Sequence, residues 1–128
     1  ESYNSNPLSL KSALKNFDMI KINNSKKHLI LGDMLELGKY SKKLHTEIGK
    51  SINKTSLKNV NVIGKHVQWT FNRLNKNKKG IIIKRKSQII DLIKNNLNNN
   101  DYLMIKGSNS TGLNSLTNQL KIGKINAL

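Results

Sequence analysis

Three polar or glycine-rich segments hold the most chemically versatile side chains of this sequence: Glu1-Ser2-Tyr3-Asn4-Ser5-Asn6-Pro7, Gly32-Asp33-Met34-Leu35-Glu36-Leu37-Gly38 and Lys106-Gly107-Ser108-Asn109-Ser110-Thr111-Gly112. The third joins an apolar run to a periodic stretch carrying Leu113, Leu116 and Leu120, so it predicts a strand-to-helix loop. Unpaired N–H groups and the positive end of the helix dipole would face an anion there. Gly107 and Gly112 have the spacing of a phosphate-binding loop, but Leu113 and Asn114 stand where a lysine and a hydroxyl residue are required. The segment is therefore not expected to grip a triphosphate by itself. A capped helix start, with glycines for a tight turn, is the other reading of the same residues.

Asp33 and Glu36 are carboxylates three residues apart in a glycine-bounded loop. They can share a cation or bind an ammonium group, or they are solvated turn residues. The first segment offers amides and hydroxyls for fixed hydrogen bonds to a ribose, an adenine edge or a peptide. Its plainer reading is a turn with Asn6 as helix cap. His28, His45 and His66 show no ligand spacing, and no Ser-His-Asp pattern can be defended, so neither a metal site nor a triad is expected. His45 reads as a packed or surface histidine before a base.

The elements that must place these segments follow from periodicity. Leu10, Ala13, Leu14 and Phe17 predict an amphipathic helix over about 8–18. His28-Leu29-Ile30-Leu31 is a short apolar run stopped by Gly32, and Ser41 opens a helix with Leu44, Ile48 and Ile52 on one face. The unit recurs as Val60-Asn61-Val62-Ile63 and a helix with Val67, Phe71 and Leu74, then Ile81-Ile82-Ile83 and a helix from Ser87. Tyr102-Leu103-Met104-Ile105 is the last apolar run. Strands that are apolar on successive residues need cover on both faces, so an α/β fold is predicted, a three-layer, Rossmann-like and mostly parallel sheet flanked by helices. Right-handed crossovers then bring the strand-to-helix loops to the carboxyl edge of that sheet. Trp69 and Phe71 read as core residues, and Asn75-Lys76-Asn77-Lys78-Lys79-Gly80 as an exposed connector.

The 128 residues fit one domain. Cysteine is absent, which excludes disulfides and thiolate chemistry and fits the reducing cytoplasm. No apolar run approaches the roughly 20 residues of a membrane span. The net charge of +16 points to nucleic acid, but the excess is almost all lysine, with Arg73 and Arg85 the only arginines. Base-edge reading and bidentate phosphate contacts favour the guanidinium, so the lysines read as a solvated surface and nucleic acid is not the expected partner.

In this order and at these separations the three segments resemble the C-terminal domain of the Mur ligases, most nearly the members that add D-alanyl-D-alanine to UDP-N-acetylmuramoyl-tripeptide in peptidoglycan synthesis. The resemblance runs from Glu1 to about Leu120. It implies that residues 1–128 are a single C-terminal domain, and that the N-terminal and central domains lie outside the chain. ATP and Mg2+ would be held mainly by the central domain. Gly-Asp-Met-Leu-Glu-Leu-Gly is close to a signature of the dipeptide-adding members, and it implies Asp33 and Glu36 in dipeptide binding. Lys-Gly-Ser-Arg-Ser in the family corresponds to residues 106–110 and implies Ser108, Asn109 and Ser110 in the same role, with Asn109 in place of the arginine. Asp-Asp-Ser-Tyr-Asn-Ala-Asn-Pro corresponds to the first segment and implies Glu1, Tyr3, Asn4 and Asn6 near the nucleotide, with Ser5 replacing an alanine. The start at Glu1 would then follow a strand of the sheet.

No catalytic residue or metal ligand is implied within the chain. The implied reaction is amide formation through an acyl phosphate, with this domain positioning the dipeptide and closing over ATP, and inactive alone. Another Mur or folylpolyglutamate-type ligase and a basic nucleic-acid-binding module are the alternatives.

Overall fold

The computed structural model of the chain describes residues 6–107 and the strand Asn126–Ala127. Helix α1 (Pro7–Met19) begins where Asn6 accepts the Ser9 N–H at 2.9 Å and Pro7 supplies a preset φ. It buries Leu10, Leu14 and Phe17. Strand β1 (Lys27–Gly32) leads through a 3-10 turn at Gly38–Tyr40 into α2 (Ser41–Asn53). Then come β2 (Val60–Ile63), α3 (Gln68–Arg73), β3 (Lys79–Ile83), α4 (Lys86–Asn96), β4 (Tyr102–Lys106) and β5 (Asn126–Ala127). The Gln88 side chain reaches back to accept the Lys84 and Arg85 N–H groups, which fixes the start of α4.

The sheet order is β3-β2-β1-β4-β5, and every described pair is parallel. Successive residues of one strand feed opposite layers. Leu29, Leu31 and Met104 join α1 and α2 through Leu14, Phe17, Ile48 and Ile52 in one core. Ile30, Leu103 and Ile105 join α4 through Ile89, Leu92 and Ile93 in the other. The three-layer parallel fold expected from the unbroken apolar runs is the one observed.

The segment 75–80 departs from the exposed connector expected. Its 3-10 turn, Lys76–Lys78, buries Lys78, whose ammonium donates to the Thr55 and Leu57 carbonyls at 2.7 and 2.8 Å. Those carbonyls follow the end of α2, where a lysine satisfies groups that the helix cannot. Gly80 lies inside β3, because a Cβ there would collide with the Asn61 side chain and the Val60 carbonyl.

Candidate functional site at the carboxyl edge

Strand β1 is central, with β2 on one side and β4 on the other, so the order in which strands are added to the sheet reverses between β1 and β4. Ligands of open parallel sheets bind at the carboxyl ends of strands where this switch occurs. Leu31 pairs with Lys106, so the loops opening at Asp33 and at Gly107 leave the sheet side by side. Helix α1 starts near the same edge and runs away from it. Its last turn lies at the amino edge, where the Asp18 carbonyl accepts the Lys27 ammonium at 2.7 Å and the Asp18 carboxylate accepts the Ser56 N–H at 3.0 Å. Thirteen residues at about 1.5 Å each carry its first turn, with Asn6, about 20 Å toward the opposite edge.

The 33–38 loop is anchored at its start and open at its middle. Asp33 is only 7% exposed; its Oδ1 accepts the Val67 N–H at 2.7 Å and its Oδ2 the Lys65 N–H at 3.2 Å. The carboxylate thus ties the loop after β1 to the loop after β2. Gly64 (φ 134°) makes room for it, since any Cβ there would strike the carboxylate. The Met34 side chain is in the core, and its N–H donates to His45 Nε2 at 3.1 Å. Beyond Met34 the chain turns outward. Glu36 takes a left-handed φ of 63° and stands in solvent, Leu35 is partly exposed, and Tyr40 is 56% exposed with the Lys39 ammonium 5.4 Å from its ring centre.

His45 is 1% exposed and sits behind this loop. Its Nδ1 lies 2.7 Å from the Ser41 carbonyl, and the Thr70 hydroxyl donates to its own carbonyl at 2.7 Å. Burial pushes its pKa below the ordinary histidine value, against the opposing pull of the Ser41 carbonyl and Asp33 and with help from His66. The rings of His45, His66 and Trp69 are neighbours, with centroids 5.6 to 6.3 Å apart. His66 Nδ1 is buried without a hydrogen-bond partner.

The two carboxylates that share one motif therefore occupy different environments, Asp33 bonded into the fold and Glu36 free in water. Asn6 uses its side-chain oxygen as the α1 cap. Glu1, Tyr3 and Asn4 and likewise Ser108, Asn109 and Ser110 lie outside the described residues. Sequence reasoning missed the joint role of His45 and the Lys65 and Val67 amides; the Ser41-to-His45 spacing of four on a helix was the available signal. Among the described residues no group of three His, Cys, Asp or Glu could hold a metal ion, and no helix is long and apolar enough to cross a membrane.

A family model described as Mur ligase, glutamate ligase domain, matches residues 2–109. The UDP-N-acetylmuramoyl-tripeptide–D-alanyl-D-alanine ligase of Rickettsia prowazekii is 28% identical over 114 residues, covering 89% of this chain and 25% of that protein. The enzyme of the same name from Bacillus subtilis is 27% identical over 124 residues, covering 94% of this chain and 27% of that protein. The chain thus spans about a quarter of the length of the curated relatives it matches. Among solved structures, the MurF ligase of Thermotoga maritima in complex with ADP superposes with a TM-score of 0.75 at 20% identity, covering 94% of this chain and 26% of that one. MurF of Acinetobacter baumannii gives 0.70 at 22% identity, covering 93% and 26%.

Proposed function

The chain belongs to the Mur ligase family, and on that premise we propose that it is the C-terminal domain of an ATP-dependent ligase that joins D-alanyl-D-alanine to UDP-N-acetylmuramoyl-tripeptide in the cytoplasm. The observation that carries the reading is the placement of the 33–38 loop beside the Gly107 loop at the switch point between β1 and β4. The names of the relatives matched over about nine-tenths of this chain support the choice of dipeptide.

The work assigned to these residues is positioning. Asp33 and Met34 hold the loop base rigid, and Glu36 presents a solvated carboxylate to the ammonium end of a dipeptide. Ser108 and Ser110 would take its carboxylate. Holding an amine against an activated acid accelerates amide formation by proximity, and domain closure excludes water. Glu1, Tyr3, Asn4 and Asn6 would lie near the nucleotide, whereas Leu113-Asn114 replace the phosphate-loop pair, so the ATP phosphates and Mg2+ need donors from elsewhere. Their grip is assigned to a central domain outside this chain.

The test is reconstitution. The 128-residue chain alone is expected to turn over no ATP, and fusion to the upstream domains to give ligation that requires D-alanyl-D-alanine. Turnover by the chain alone refutes the division of labour. The second reading is a ligase for a single amino acid, in keeping with the family description as a glutamate ligase domain but not with the names of the relatives. Faster ligation of glutamate than of the dipeptide in the same assay would establish it.

A further inference from the structure

We propose that His45 is a positioning residue for the 33–38 loop, latching it through the Met34 N–H on a neutral imidazole, and that proton uptake by this ring releases the latch. The partners of the ring fix its tautomer. The Ser41 carbonyl can only accept, so the proton sits on Nδ1, 2.7 Å away. The Met34 N–H can only donate, so Nε2 carries a lone pair, 3.1 Å away. Imidazolium would set one N–H against another and leave the Met34 amide without an acceptor beneath a side chain that is 1% exposed.

Every packed element contributes to the balance. Asp33, from the loop itself, favours the cation; His66, from the loop before α3, opposes it with its ring 6.0 Å away. Trp69 and Thr70 of α3 are uncharged neighbours, and the Ser41 hydroxyl, on the same helix as His45, lies 3.2 Å from Nδ1. The turn beyond Met34 contains two left-handed residues, Glu36 at φ 63° and Gly38 at φ 56°, and Leu35, Glu36 and Gly38 are solvent-exposed. Two side-chain anchors, Asp33 and His45, hold its base, and the His45 contact is the one that an imidazole proton would break.

The latch is a property of this chain, whereas its effect on dipeptide use rests on the ligase reading. In the 15N-labelled chain, the imidazole resonances are expected to report the Nδ1–H tautomer at pH 7.5. The Met34 amide protection factor should fall as the ring takes up a proton, while Ile105 in β4 stays protected and shows that the fold persists. His45→Gln keeps an acceptor that does not titrate, so Met34 protection becomes independent of pH. His45→Ala should lower it about tenfold at every pH. An Nε2–H tautomer in the unsubstituted chain, or an unchanged acid profile in His45→Gln, overturns the latch. In the reconstituted ligase, acid should raise the KM for dipeptide but not for ATP, and His45→Gln should abolish that rise. An enzyme that takes no dipeptide rejects the dipeptide-ligase reading, and the spectra still decide the latch.

Discussion

Asp33 and Glu36 show how one motif divides into two tasks. Replacing Asp33 by alanine strands the Lys65 and Val67 N–H groups and should cost about 2–4 kcal/mol in urea unfolding, while asparagine, which retains one acceptor, should cost about half. Glu36→Gln should leave stability within about 0.5 kcal/mol and raise the KM for the amino donor in the reconstituted ligase. Equal stability losses at both positions would mean that Glu36 is also structural. The sequence marks both acids as candidates but cannot separate them. The partners of Asp33 lie 32 and 34 residues along the chain, beyond any local periodicity. Lys78 carries the same lesson, since its Asn- and Lys-rich surroundings suggest solvent while its ammonium closes the end of α2.

Elements, by contrast, were readable because their signals are local. Pro7 after a capping Asn6 starts α1, Gly32 ends β1, and the unbroken apolar runs require two helix layers. The ties between elements were not readable, and one of them makes the fold acid-sensitive. His28 at the start of β1 meets Asp101 just before β4, Nε2 to Oδ2 at 3.1 Å, and Asp101 also accepts the Lys26 and Asn98 N–H groups. Burial lowers the pKa of His28 more than Asp101 raises it, and burial likewise lowers that of His45. Burial resists ionisation of Asp101, but the Asn98 and Lys26 amides and His28 outweigh it and hold that carboxyl below its usual range.

The sign follows from proton counting. Below about pH 6.5 the unfolded chain binds protons that the folded histidines refuse, so stability is lost as pH falls until the depressed native values are reached. Each histidine contributes at most about 1.4 kcal/mol per pH unit within that window. The Asp101 contribution is present above the ordinary carboxylate range and is lost only below about pH 4. Urea midpoints should therefore decline from pH 7.5 to 5.5, and less steeply in His45→Gln. A midpoint independent of pH across that range would show that neither histidine is held neutral by the fold.

For the whole molecule the charge of +16 needs a physical account, because alone it would suit a nucleic-acid partner. Two separate grooves gather described lysines around an acid, Lys21, Lys26, Lys27 and Lys58 with Asp18 in one of them. Lys39, Lys42, Lys43 and Lys50 line a shallow groove on α2 that also holds Glu47, and Arg73 and Arg85 sit exposed on separate elements. Among the described residues Trp69 packs against the histidine rings and the partly buried Phe71 against the core, with the Lys79 ammonium 5.4 Å from its ring centre, which leaves Tyr40 as the most exposed aromatic ring beside a lysine. With the two arginines apart and no row of aromatic rings among the described residues, attraction to a phosphate backbone rests mainly on counterion release. Lysines scattered in this way should bind a short DNA duplex at about 20 mM salt and release it near 150 mM, as a Debye length of about 8 Å isolates each charge. Fluorescence anisotropy across that range decides the matter. Tight binding that survives 150 mM salt would require a convergent basic site and would restore nucleic acid as a partner. Its loss leaves the lysines as a solvated coat, and recognition to the polar loops at the carboxyl edge.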